Sequence, residues 1–183
     1  MIEFKNVCFS YGEKRILKDF NLKVEDGERL CLYGESGKGK TTVLRLVMGL
    51  EKPDSGEITV TGDISAVFQE DRLLPFLTVE ENIREMTGCE KPEGILSSLN
   101  LINEKGEYPS ALSGGMARRA AIARALCKKS EIYIFDEPFT GLDGKNIEKA
   151  SEIINKATEG KTVIAVLHEK NHAEKINCKI FEL

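Results

Sequence analysis

Gly34-Glu35-Ser36-Gly37-Lys38-Gly39-Lys40-Thr41-Thr42 is the stretch of this 183-residue chain that decides its fold. One apolar run, 30–33, precedes it and another, 43–48, follows it. This pattern predicts a strand, a glycine-rich turn and a helix that begins near Lys40. The stretch matches G-x-x-x-x-G-K-[ST], the phosphate-binding P-loop, in which backbone N–H groups and the positive end of the helix face phosphate oxygens. We therefore predict a nucleoside triphosphate site, and the alternative is a glycine-rich turn without a ligand.

Two side chains of this stretch indicate the chemistry of the bound nucleotide. The P-loop lysine, Lys40, is expected to reach the β- and γ-phosphates. The hydroxyl of Thr41 is expected to be a ligand of Mg²⁺. We therefore expect the whole stretch 34–42 to bind the nucleotide, with Mg²⁺ as a second cofactor.

Composition limits the class of protein. The chain has 26 Lys and Arg against 30 Asp and Glu, a net charge of −4, which argues against nucleic acid as the main partner. Its five cysteines are scattered without a C-x-x-C pair, so we expect buried reduced thiols rather than disulfides or metal ligands. Neither a signal peptide at 1–5 nor an apolar run of membrane-spanning length is visible, which predicts a soluble, cytoplasmic protein.

The residues before the P-loop predict β-structure. Residues 2–9 and 20–24 alternate apolar and polar side chains, as half-buried strands do. An Asp-Gly pair at 26–27 is a hairpin signal ahead of the strand that enters the P-loop. Tyr11 lies in a predicted turn between the first two strands, where its ring could either stack on adenine or pack on the core.

A polar cluster follows the next two predicted strands, 57–60 and 64–68. Gln69 stands at the carboxyl end of the second of these strands, on the side of an open α/β sheet where ligands bind. We expect Gln69 to reach Mg²⁺ or the attacking water. The alternative is a solvated loop glutamine.

From residue 78 to about 129 the pattern becomes helical. A capping box at 78–81 begins a helix that runs through residue 86, and a second short helix covers about 92–99. An alanine-rich third helix follows Ser113, which is a candidate N-cap. Gly114 and Gly115 expose backbone N–H groups at this helix start, which makes it either a second anion site or a plain capping turn.

Two carboxylates, Asp136 and Glu137, end the apolar run at 131–135. Such a run is typical of a strand buried on both faces of a parallel sheet, where charges are costly unless a cation meets them. We expect Asp136 to hold Mg²⁺ and Glu137 to act as the general base towards water. The alternative is a solvated acidic turn.

The last third of the chain predicts an amphipathic helix at 145–157 and a buried strand at 163–167. The strand ends in His168, whose imidazole could hydrogen-bond the γ-phosphate, although a lone histidine often has no such role. The final run, 178–183, is typical of an edge strand.

Together these motifs resemble the nucleotide-binding subunit of ATP-binding cassette (ABC) transporters over the whole chain. Leu-Ser-Gly-Gly discriminates this family from other P-loop ATPases. The motifs are, in order, Tyr11 as the adenine-stacking aromatic, the P-loop 34–42, Gln69 as the Q-loop glutamine, 112–116 as the signature, Asp136-Glu137 as Walker B, 141–143 as the D-loop and His168 as the switch histidine.

The resemblance implies an ATPase that works as a dimer. Ser113, Gly114 and Gly115 would bind the γ-phosphate of the partner subunit's ATP, so that two ATPs are sandwiched head to tail, with Asp143 in the adjoining D-loop. The partner would be a second ATP-binding subunit, identical or different. The cofactors would be ATP and Mg²⁺.

The resemblance also implies a fold and a location. The fold would be an α/β P-loop NTPase core with a mostly parallel sheet, an antiparallel N-terminal part and an inserted helical subdomain. The single domain 1–183 would comprise a core, 1–74 and 130–183, and a helical subdomain at about 75–129. The chain would lie on the cytoplasmic face of the cell membrane and drive an integral membrane permease.

Region 68–75 is similar to the groove of importers that receives a permease coupling helix. Met116, where glutamine is commonest, together with 73–75 and 77–79, most resembles importers of nitrate, sulfonate, taurine or similar small solutes. Lys38 departs from the family pattern by adding a cation near the phosphates. Short connections around Gln69 suggest a compact cassette. A non-transport ABC-type ATPase that acts on a protein assembly or nucleic acid is the alternative function.

Overall fold

A computed structural model describes residues 1–183. The chain divides into two compact units. The first unit comprises Met1–Ile64, Ser130–Asp136 and Gly160–Leu183, and the second comprises Ser65–Lys129 and Glu137–Glu159. The domain boundaries expected from the sequence, at residues 75 and 129, stay a prediction.

The chain contains eight strands, six α-helices and one 3-10 turn. In chain order they are β1 (Ile2–Tyr11), β2 (Lys14–Val24), β3 (Arg29–Tyr33), α1 (Lys40–Val47), β4 (Ser55–Val60), β5 (Ile64–Val67), α2 (Val79–Thr87), α3 (Glu93–Ser98), the 3-10 turn (Pro109–Ala111), α4 (Gly114–Cys127), β6 (Ile132–Asp136), α5 (Gly144–Ala157), β7 (Thr162–Val166), α6 (Lys170–Lys175) and β8 (Lys179–Glu182). None of these helices has the length and apolar character needed to cross a membrane.

An antiparallel sheet with strand order β2-β1-β4 forms one layer of the first unit. Ile2 pairs with Val24 on one side and with Val60 on the other, which fixes the register. Ile2 and Phe4 are buried, and Val7 and Phe9 are buried after a register shift between Phe4 and Val7, so the predicted alternation holds on each side of that irregularity. β1 is longer than predicted, because it continues to Tyr11, and the prediction of a turn at Tyr11 is therefore wrong.

The second sheet has the strand order β5-β6-β7-β3-β8, and its strands from β6 to β8 run parallel. Every residue of β6 and β7 is buried, in agreement with their continuous apolar sequences. β8 is the edge strand, as predicted. The predicted α/β fold is thus confirmed.

The Asp-Gly turn between β2 and β3 does not make the predicted hairpin. The Glu28 N–H donates to the carbonyl oxygen of Glu25 at 3.0 Å, so a tight turn is present. However, β2 and β3 belong to different sheets. A turn signal predicts the local reversal of the chain but not the strand with which the next segment pairs.

The second unit is built on α4, which packs against α2, α3 and α5. The alanines of α4 allow close approach, and the apolar side chains around them, among which are Val79, Ile83, Leu96 and Leu101, are fully buried. The predicted capping box is confirmed, because Glu81 N–H donates to Thr78 Oγ1 while the Glu81 carboxylate accepts from Thr78 N–H. The short α6, in the first unit, was not predicted.

The five cysteines form no disulfide, as expected. Cys31 and Cys178 are buried. The expectation of burial is wrong for the other three, which are half-buried.

Candidate functional site

The P-loop of the first unit is stabilised by hydrogen bonds from its own lysine. Lys40 is the first residue of α1, and its ammonium donates to the carbonyl oxygens of Gly34, at 2.7 Å, and Glu35, at 2.8 Å. An ammonium has three N–H groups, so two of them brace the loop while one remains for a further acceptor. The loop is therefore held in a curled form by the residue that the sequence assigns to the phosphates.

Glycine is required where the P-loop meets α1. Gly39, the N-cap of α1, has a φ of 94°, in the left-handed region that side chains disfavour. A Cβ on Gly39 would also lie 2.7 Å from Ile16 Cγ2 on β2. The packing of α1 against β2 thus allows no side chain at this position. Residues 35–38 of the P-loop are exposed, and the helix start beside them favours an anion.

Thr41 and Asp136 meet beside the P-loop. The Thr41 hydroxyl donates to Asp136 Oδ1 at 3.4 Å, and Asp136 ends β6 with only 4% of its surface exposed. A carboxylate so deeply buried is costly without a cation. Oxygen donors are what Mg²⁺ prefers, usually one or two carboxylates completed by phosphates and water. The pair therefore fits the predicted metal. Gln69, the third predicted ligand, belongs to the second unit.

His168 follows β7, the strand that lies between β6 and β3 in the sheet. Val166 pairs with Asp136 on one side and with Leu32 on the other. The P-loop, Asp136 and His168 thus follow the carboxyl ends of three adjacent parallel strands. This edge is where ligands bind in open α/β sheets. The His168 side chain is exposed.

Tyr11 is 45% exposed, so it is not the core tyrosine of the alternative hypothesis. Its ring packs edge-on against Phe9, with centroids 4.8 Å apart. Its hydroxyl donates to Glu51 Oε1 at 3.3 Å, and Arg45 of α1 donates to the same oxygen at 2.9 Å. Glu51 therefore links the aromatic residue to the P-loop helix, a connection for which the sequence carries no signal.

The helix start at Ser113 lies in the second unit. Ser113 is the N-cap of α4, as predicted, and its Oγ accepts from Met116 N–H at 3.3 Å. Gly115 faces the D-loop, since a Cβ on it would lie 3.1 Å from the carbonyl oxygen of Gly141. Ser113 and Gly114 are exposed. The signature and the D-loop thus form one continuous surface within this unit.

Asp143, which was predicted to contact the nucleotide, caps α5. Its Oδ1 accepts from Asn146 N–H at 2.9 Å, and this hydrogen bond lowers the pKa of the Asp143 carboxyl below its usual range. The Asn146 side-chain amide donates to Oδ2 at 3.0 Å. The carboxylate therefore holds the end of the D-loop at the start of α5.

Glu137 adopts a backbone conformation that a glutamate rarely takes. Its φ is 52°, and a left-handed residue other than glycine costs about 1–2 kcal/mol. The Thr140 hydroxyl donates to Glu137 Oε2 at 3.3 Å, and Thr140 N–H donates to the Glu137 carbonyl oxygen at 3.2 Å. Such strain is concentrated at functional sites. The structure thus gives this carboxylate a fixed, strained position.

Gln69 is exposed at the start of a segment, 68–78, that has no regular secondary structure. Part of this segment is held by Asn82, a buried residue of α2 that sequence analysis missed. The Asn82 amide donates to the carbonyl oxygens of Leu74, at 3.1 Å, and Leu77, at 2.9 Å, and its Oδ1 accepts from Leu74 N–H at 2.7 Å. The segment is therefore ordered by side chains rather than by a backbone ladder.

Comparison with known proteins adds independent findings. A family model described as "ABC transporter" matches residues 17–140. "Probable ABC transporter ATP-binding protein PEB1C" of Campylobacter jejuni is 34% identical in an alignment that is 206 positions long, gaps included, and that covers 98% of this chain and 85% of that protein. "Aliphatic sulfonates import ATP-binding protein SsuB 1" of Nocardia farcinica is 36% identical over 181 residues, which cover 95% and 74%.

A solved structure is similar over the whole chain. It is described as "Dimeric structure of a post-hydrolysis state of the ATP-binding cassette MJ0796 bound to ADP and Pi". It has a TM-score of 0.88 and 32% sequence identity, and the match covers 100% of this chain and 94% of that one.

Proposed function

Because this chain belongs to the ABC transporter family and is an ATPase subunit of such transporters, we propose that it hydrolyses Mg-ATP with the residues described above. The observation that carries the proposal is the edge of the parallel sheet in the first unit. There the P-loop, Asp136 and His168 follow three adjacent strands. An open α/β sheet binds its ligand at this edge.

The P-loop residues bind the phosphates of ATP. The backbone N–H groups of 34–42 surround the phosphate oxygens, and the third N–H of Lys40 reaches the β- and γ-phosphates. Thr41 and Asp136 would hold Mg²⁺. Bound Mg²⁺ would neutralise charge on the phosphates. Tyr11 stacks on the adenine.

Glu137 and His168 act at the γ-phosphate. The Glu137 carboxylate accepts a proton from the attacking water, for which its fixed backbone position suits it. His168 donates a hydrogen bond to a γ-phosphate oxygen. We expect replacement of either residue to reduce hydrolysis more than ATP binding, because the phosphates are bound by the P-loop.

Each ATP site is completed by a second cassette subunit. The start of α4 is a second phosphate-binding surface, with Ser113 and Gly114 exposed, and one ATP on one P-loop does not require it. The dimeric cassette structure that this chain resembles supports such an assembly. In the proposed dimer, Ser113–Gly115 of one subunit contact the ATP on the P-loop of the other.

Mixing two inactive variants tests this arrangement. Lys40→Ala removes the P-loop half of the site, and Ser113→Arg blocks the signature half by its bulk. In a mixed dimer one site carries both defects and the other carries none, so trapping of ATP should partly return. Wild-type subunits that exchange normally are the control. If no mixture traps nucleotide, the shared site is wrong for this protein.

The exposed Q-loop region joins the chain to an integral membrane permease at the cytoplasmic face of the membrane. Phe76 is 70% exposed within the segment that Asn82 holds, a position suited to contact a partner. The similarity to a protein named as an aliphatic sulfonates import subunit supports a small solute as the cargo. The alternative, a non-transport ATPase, has no observation in its favour.

Co-purification from membranes tests the partner. The chain should bring down an integral membrane protein, and Phe76→Asp should reduce its recovery while leaving the ATPase activity of the isolated subunit unchanged. Tyr108→Asp, which alters another exposed aromatic residue, should not reduce recovery. Equal recovery with both variants would remove Phe76 from the contact surface.

A further inference from the structure

The backbone around Gln69 is held by one buried arginine of the signature helix. Arg118 Nη1 donates to the carbonyl oxygen of Phe68 at 2.7 Å, and Nη2 donates to that of Gln69. Segment 68–72 has no backbone ladder that could satisfy these carbonyl groups. Since partly buried carbonyl groups need donors, Arg118 replaces the missing backbone hydrogen bonds at residues 68 and 69.

The third contact of Arg118 is an ion pair within the same segment. Its Nε lies 3.2 Å from Asp71 Oδ1, and the two side chains form an ion pair. Burial raises the pKa of the Asp71 carboxyl, and the charges of Arg118 and Arg124 oppose that rise. Arg118 itself is only 5% exposed.

A buried guanidinium with three partners in one short segment is a specific arrangement. Its planar fork presents donors from three separate nitrogens to two carbonyl oxygens and a carboxylate, whereas a lysine ammonium presents all its donors from one atom. Arg124, one and a half turns further along α4, donates to the carbonyl oxygens of Asp71, at 2.8 Å, and Arg72, at 2.7 Å. Two arginines of one helix thus hold the whole turn after Gln69.

The helix that carries these arginines also carries the second phosphate-binding surface. α4 begins directly after Ser113 and runs unbroken through residue 127. A 14-residue helix moves as one piece, so Arg118 fixes the backbone of Gln69 at a constant distance from the signature. A displacement of the signature would therefore also displace the backbone of Gln69.

We propose that Arg118 is a positioning residue, which sets the place of Gln69 relative to the signature helix and so tunes the hydrolysis step. This inference rests on the proposed function and on the role predicted for Gln69, which is to reach the metal or the attacking water. Arg118 itself does not touch ATP. Its loss should therefore act through Gln69, lowering kcat with little effect on the affinity for ATP.

A double-mutant cycle in the full-length protein tests this. Misplacement of a reacting group by about 1 Å can reduce the rate about 100-fold, so we expect Arg118→Lys to reduce kcat by about 10- to 100-fold. Its apparent Mg²⁺ requirement should rise. In a Gln69→Ala background, the same substitution should cause little further loss. Arg84→Lys, the same substitution at an exposed position of α2, is the control.

The outcomes separate the inference from the function on which it rests. If Gln69→Ala and Arg118→Lys each reduce kcat and their effects multiply in the double variant, Arg118 does not act through Gln69 and the inference is wrong. If Gln69→Ala leaves kcat and the Mg²⁺ requirement unchanged, the assigned role of Gln69 fails first. Urea melting of each variant identifies a loss of folding, and Arg118→Gln then supplies a second substitution for the cycle.

Discussion

Replacing Tyr11 by alanine should weaken ATP binding by the free energy with which adenine stacks on the Tyr11 ring. Tyr11 is 45% exposed and its ring lies perpendicular to that of Phe9, so part of the ring is accessible to a base. Stacking of a base on an aromatic side chain contributes about 1–3 kcal/mol, which corresponds to a loss of affinity of about 5- to 150-fold, since each 1.4 kcal/mol is about tenfold.

The phenylalanine variant separates the ring from the hydroxyl. The hydrogen bond from Tyr11 to Glu51 is 3.3 Å long and lies at the surface. A neutral hydrogen bond contributes about 0.5–1.5 kcal/mol net, and a long exposed one falls at the lower limit. Tyr11→Phe should therefore change the affinity for ATP by about twofold at most, by the conversion of about 1.4 kcal/mol per tenfold.

Calorimetric titration with two ligands provides the assay. The affinity for ATP depends on contacts to both the base and the phosphates. The affinity for inorganic tripolyphosphate depends on contacts to the phosphates alone. Tyr11→Ala should lose affinity for ATP but keep its affinity for tripolyphosphate. An unchanged affinity for ATP would refute the stacking hypothesis. An equal loss for both ligands would show that the substitution damages the P-loop instead.

Three further predictions concern catalysis, stability and thiol reactivity. Glu137→Gln should reduce steady-state ATP hydrolysis by about 10²–10⁴-fold and retain ATP binding, because it removes a positioned base; near-normal turnover would contradict this role. Asn82→Ala leaves buried backbone groups without partners, at about 1–3 kcal/mol each, so urea denaturation should show a clear loss of stability, while Glu85→Ala on the exposed face of α2 should not. Burial raises the pKa of Cys31 to about 11 and of Cys178 to about 12. Because the thiolate is the reactive form, both should resist alkylation at pH 8 until the protein unfolds, and rapid labelling of the native protein would contradict their burial.

Features with a local sequence signal could be predicted. The P-loop needs only a strand, its glycines and a helix within about twenty residues. The capping box at Thr78 and the N-cap at Ser113 each depend on contacts three residues apart. Such contacts form wherever the right residue types occur at the right spacing, so their geometry follows from the sequence.

Features that depend on distant partners could not be predicted. Arg118 and Phe68 lie 50 residues apart in the chain, and nothing in either neighbourhood indicates that they meet. The turn after β2 gave a strong hairpin signal, but the choice of sheet is made by long-range pairing. α6 has only six residues, too few to show a helical period.

The strain at Glu137 shows how a short-range motif depends on long-range structure. Successive side chains of a strand point to opposite faces, so an extended Glu137 would point away from the face that Asp136 occupies. The left-handed φ of 52° ends the strand at Asp136 and redirects the next side chain, at a cost of about 1–2 kcal/mol. Thr140 donates two hydrogen bonds to Glu137, which stabilise this conformation. The Asp136 carboxylate stays buried beside Thr41 while the Glu137 carboxylate is held separately by Thr140, as the proposed roles at a metal and at a water molecule require.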